Sequence, residues 1–97
     1  MAEFLGQKKE TTDLGAGNGF DAMGKPIPFY RRQAGYDTCL EMGLKSEAAY
    51  SAVSGMSEML ERDQPYEAMA AGMKYIDLTG TYRLMAVLLT ADKPATP

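Results

Sequence analysis

SEAAYSAVSGMSEMLERDQPYEAMAAGMKYID, residues 46–77, decides how this chain folds. Ser46 reads as an N-cap, since a serine oxygen can accept a hydrogen bond from a first-turn amide. Ala49, Tyr50, Val53, Met56 and Leu60 then fall at helical spacing, with Glu47, Ser51, Ser54, Glu58 and Glu61 on the opposite side. Arg62 closes this helix, where a cation suits the carbonyl end of the dipole. Asp63-Gln64-Pro65 interrupts the pattern, and proline is well placed at a first helical position because its missing amide would be unpaired there. A second helix is predicted from Pro65 to about Asp77, with Tyr66, Met69, Ala70, Met73 and Ile76 on its apolar face. Glu67, Lys74 and Asp77 fall on its wet one. The unit is a helical hairpin.

Both halves of the hairpin carry small residues: Ala48, Ala52 and Gly55 in one, Ala68, Ala71 and Gly72 in the other. A mid-helix glycine costs up to about 1 kcal/mol relative to alanine, so something must offset it. One reading is close packing of the two helices within the molecule; the other is a face for a second copy or another protein. The methionines at 56, 59, 69, 73 and 85 serve either, as core fillers or as adaptable surface.

Downstream, Thr79 reads as the cap of a last helix carrying Leu84, Met85, Leu88 and Leu89. The alternatives are a strand over "TYRLMAVLLT", or one long helix over 65–91 weakened at Gly80. Leucine, methionine and alanine favour helix. Upstream, Asp37 is placed to cap a short helix, "TCLEMG", that Gly43 would stop. Before Tyr36 there is no sustained period, and six of the ten glycines lie there with Pro26 and Pro28. The expected organisation is an extended arm over 1–35, an all-α bundle of three to four short helices over 36–92, and a tail over 93–97.

The chain has 97 residues and a net charge of −3, room for one small core. Residues 1–35 carry +1 and residues 36–97 carry −4, which gives no reason to expect a polyanionic partner. There is no histidine, which removes the commonest general base and most zinc arrangements. Cys39 is the single cysteine, so an intrachain disulfide is excluded. It reads as a small hydrophobe, with a thiol activated by a nearby helix N-terminus as the second reading. "GAGNGF" (Gly15–Phe20) matches neither phosphate-loop pattern and reads as a flexible link. No apolar run is long enough for a membrane span or a secretory core, so a soluble cytoplasmic or virion protein is expected.

"GKPIPFYRRQAGY" (Gly24–Tyr36) is the distinctive part of the arm. Pro26 and Pro28 favour extended backbone, and aromatic and arginine side chains dominate interface hot spots. The same residues read equally as a flap closing the protein's own core. Arginine beside aromatics also suits nucleic acid, though two arginines on an acidic chain are thin support. A helix-turn-helix over 46–77 would put "PYEAMAAGMKY" in the groove, with no arginine, asparagine or glutamine to read bases. The expectation is therefore a non-catalytic structural or interaction protein without cofactor or metal. It would be an accessory subunit of a larger assembly, with a phage virion or bacterial complex the context that fits. The partners would be proteins, its own copies included. The interface candidates are Ile27, Phe29, Tyr30, Arg31, Arg32, Ala52, Gly55, Met56, Gly72 and Met73. The alternatives are a small regulator or inhibitor of one protein target and, third, a nucleic-acid-binding factor.

Overall fold

A computed structural model describes residues 22–95. Four helices follow one another: α1 (Phe29–Glu41), α2 (Ser46–Glu61), α3 (Pro65–Gly72) and α4 (Leu78–Thr90), with no strand among the described residues. The all-α bundle expected from the sequence is the fold. Helix α2 packs most extensively on α3, α1 lies against both α4 and α2, and α3 leans on α4. Met56, Leu60, Leu84, Leu88 and Leu89 are fully buried at the centre, with Thr81 and Cys39.

Both hairpin turns close in the same way. Gly43, at φ 94°, donates to Leu40 O (3.0 Å), and Leu44 donates to Cys39 O (3.0 Å). Asp63 repeats this at φ 57°, donating to Leu60 O (3.0 Å) while Gln64 donates to Met59 O (2.9 Å). These paired bonds satisfy the last carbonyls of α1 and α2 and turn the chain sharply. Gly43 stops its helix as the sequence indicates. At Asp63 an aspartate adopts the left-handed conformation that glycine would take at less cost.

The structure departs from the sequence reading at both ends of the bundle. Helix α1 begins at Phe29, directly after Pro28, so residues 29–35 are helical rather than the end of an arm, and Asp37 is an interior residue rather than a cap. Its buried residues are Gly35, Thr38 and Cys39, none of them large and apolar, so no hydrophobic period announces it. A β-carbon on Gly35 would stand 3.0 Å from both Leu84 Cδ1 and Leu88 Cδ2, which shows how closely α1 lies on α4. The stretch before α1 is anchored to the end of α2: Gly24 donates to Leu60 O (2.8 Å) and Ile27 donates to a Glu61 carboxylate oxygen (2.8 Å). Residues 1–21 of the expected arm lie outside the described residues.

Ser46 is the first helical residue of α2 and Lys45 its cap, with no side-chain capping bond. Helix α3 ends at Gly72 rather than near Asp77, which rules out the single long helix over 65–91. Asp77, assigned to a wet helix face, is instead the cap of α4, its carboxylate accepting from Gly80 N–H at 2.8 Å. Thr79 sits inside that first turn, and the helical reading of 79–91 prevails over the strand.

The faces of the hairpin also shift. Ala49, Val53, Met56 and Leu60 are buried as expected, but Tyr50 is exposed, and Ala52 is fully buried as well. In α3 the buried residues are Ala68 and Gly72, while Tyr66, Ala70 and Met73 face outward. Small residues occupy the inside because α3 crosses α2 at close range. A β-carbon on Gly72 would stand 2.6 Å from Met56 Sδ and 2.6 Å from Thr81 Cγ2. Gly55 faces Ala71 at an ordinary 3.5 Å. Of the two readings of the small residues, packing within the molecule describes Ala52, Gly55 and Gly72.

Cys39 is fully buried in the last turn of α1, not near a helix N-terminus, and burial pushes its thiol pKa above the ordinary value. Native protein is expected to resist an aromatic disulfide reagent, the thiol reacting only as fast as the chain opens. Because the native state holds this proton more tightly, the stability it contributes is full below the ordinary thiol range and falls as pH rises through it. Reaction within seconds on native protein would contradict the burial.

Candidate functional site

Helices α1 and α2 are antiparallel neighbours, joined by a short turn at one end and by the Ile27–Glu61 bond at the other. On their outer side they leave an open groove of about 720 Å³. Its lining includes Phe29, Arg32 and Tyr36 from α1 and Glu47, Tyr50 and Val53 from α2. Phe29 is 66% exposed and Tyr50 69%, so two large rings stand in solvent, while Val53 in the same lining is buried. Positions 29, 32, 33 and 36 recur at helical spacing, as do 47, 50, 51 and 54, which is why one stripe of each helix forms a wall. Tyr50 lies one step round the helix from Ala49, about 100°, at the border of the buried arc.

The adjacent arginines diverge. Arg31 points to the opposite side of α1, where its Nε donates to Ala91 O (3.0 Å) and its Nη1 to Leu89 O (2.9 Å). Helix α4 has no basic residue in its last turn, so this guanidinium from α1 supplies both the charge and the donors its carbonyl end needs. Arg31→Ala is expected to cost about 1–2 kcal/mol in thermal or urea unfolding. Arg31→Lys should recover only part, because an ammonium keeps the charge but not the two-pronged geometry. Equal stability of Arg31→Ala and the parent would contradict this role. Arg32 turns to the groove. Its guanidinium carbon is 5.6 Å from the centre of the Phe29 ring, and its Nε donates to Ile27 O at 3.3 Å.

The ten interface candidates therefore separate. Phe29 and Arg32 line the groove. Ile27, Ala52, Met56 and Gly72 are buried in the protein's own core, and Gly55 is half-buried against α3. Tyr30 is half-buried, with Arg31 5.8 Å from its ring centre. Met73 is exposed just past the end of α3 and does not line the groove. Tyr36, Glu47 and Tyr50 complete the site and were not singled out from sequence. The signal for Tyr50 was its place at the edge of an amphipathic arc, where phase alone does not decide exposure.

A smaller recess of about 470 Å³ lies where the end of α1 meets the start of α4, lined by Met42, Leu44, Tyr75, Ile76, Gly80 and Arg83 among others. Among the described residues no group of three or more histidine, cysteine, aspartate or glutamate side chains is placed to hold a metal ion. None of their helices is long and apolar enough to cross a membrane. A scan against protein-family models and searches of curated proteins and of solved structures find no match to this chain.

Proposed function

We propose that this chain is a non-catalytic interaction protein, an accessory subunit that docks on a protein partner through the groove between α1 and α2. The observation that carries this reading is the exposure of Phe29 and Tyr50 on neighbouring helices, in one groove with Tyr36 and Val53. Large aromatic rings held in solvent on a rigid two-helix platform lose little rotational freedom on binding, and such residues with arginine anchor protein interfaces. The engagement of Arg31 with the end of α4 supports a protein partner over a nucleic acid, since it leaves one fewer cation for phosphate contact.

The test is affinity purification of the tagged full-length chain from its native source, beside a Tyr50→Arg variant whose fold is checked by circular dichroism. The position is exposed, so the variant is expected to fold. A component that co-elutes with the parent and is lost with Tyr50→Arg is the expected result. An identical set of components with both chains would defeat the reading.

A further inference from the structure

The two charged side chains of the groove differ in sign and stand at its opposite ends. Arg32 is in the first turn of α1 and Glu47 in the first turn of α2, and these helices run antiparallel. Among the described residues neither is in an ion pair; the exposed pairs there are Arg62–Glu58 and Arg83–Glu41. Phe29 stands with Arg32 at one end, and Tyr36 and Tyr50 line the groove from there toward Glu47. Phe29 and Tyr36 are two turns apart, about 10 Å along the helix axis. That length matches the rise from i to i+7 on a docked helix, so one heptad of apolar anchors spans the site.

We propose that the groove takes a short amphipathic helix of a partner protein, apolar at i, i+3 or i+4 and i+7, with an acidic side chain at the Arg32 end and a basic one at the Glu47 end. This rests on the docking role proposed above and adds the partner's charge order. The ring contact and the bond to Ile27 O bias how Arg32 presents its guanidinium to an incoming carboxylate. Unlike charges at the two ends select against partners carrying one sign throughout, because a like charge beside Arg32 or Glu47 is repelled.

Three synthetic helical peptides of about four turns test this on the full-length chain by isothermal titration calorimetry. All three carry leucines at the anchor positions. One has glutamate at one end and lysine at the other, one has glutamate at both, one lysine at both. The mixed peptide is expected to bind about threefold or more tighter than either like-charged one. Arg32→Glu should make the lysine peptide the tightest, and Glu47→Lys the glutamate peptide. Tyr50→Ala should weaken the mixed peptide about tenfold or more. Amide shifts on binding should centre on Gln33, Ser51 and Ser54.

Equal affinities for the three peptides, an order that ignores the charge swaps, or shifts centred on α3 and α4 would each overturn the proposal. So would absence of binding, whether the groove amides shift with chain concentration, which identifies a second copy as occupant, or show contacts to residues 1–21, which identifies the chain's own leading segment. A native partner lost with Tyr50→Arg but indifferent to both charge swaps would sink the charge order while leaving the docking role intact.

Discussion

Gly72→Ala is expected to destabilise the protein by about 1–2 kcal/mol, although alanine is the better helix former by up to about 1 kcal/mol. The new methyl group would stand 2.6 Å from Met56 Sδ and from Thr81 Cγ2, and both neighbours are fully buried. Thr81 is further held by its hydroxyl, which donates to Asp77 O at 2.8 Å, the residue that caps α4. Accommodating alanine therefore means lifting α3 off α2 or disturbing the start of α4. Gly55→Ala supplies the contrast. Its β-carbon would meet only Ala71, at 3.5 Å, so the helix-propensity gain is unopposed and the variant should be more stable by about 0.5–1 kcal/mol. In a domain of this size each kcal/mol moves Tm by about 4–8 °C, so the two alanines should shift melting in opposite directions. Two upward shifts would mean that α3 does not cross α2 as closely as described.

The second large effect is expected at Leu88. Its side chain is fully buried and fills the hollow above Gly35, so Leu88→Ala should cost about 3 kcal/mol, a large part of the stability of a domain this small. The cavity collapses poorly because the facing residue on α1 has no side chain to move in. Adding Gly35→Ala should recover about 1 kcal/mol in the Leu88→Ala background. In the parent it brings little, since its methyl group would press on Leu84 Cδ1 and Leu88 Cδ2, both at 3.0 Å. Denaturant unfolding of the four proteins measures that coupling. Strict additivity would place the two residues apart.

What was legible in the sequence follows from what periodicity can report. Helix α2 has a continuous stripe through Ala49, Val53, Met56 and Leu60, and both its existence and most of its buried side were readable. Helix α1 was mostly invisible because its inner face is Gly35, Thr38 and Cys39, a pattern that resembles a loop. In α3 the rule that large apolar residues go inside fails. Close crossing selects Ala68 and Gly72 for the interface and leaves Tyr66 and Met73 in solvent. Asp77 fits both a wet helix face and a cap, and only the arrest of α3 at Gly72 decides between them. The groove was half readable. Phe29 and Arg32 stood out beside Pro28, but Tyr36 and Tyr50 join them only once α1 and α2 are known to lie side by side.

Arg31 gives the molecule a mechanical property. A helix end normally frays on its own, whereas here Arg31 ties the carbonyls of Leu89 and Ala91 to the helix that carries Phe29 and Arg32. A bulky fusion or a tether attached beyond residue 95 is expected to tug on the wall of the groove that carries Phe29 and Arg32, and so to alter whatever binding that wall supports.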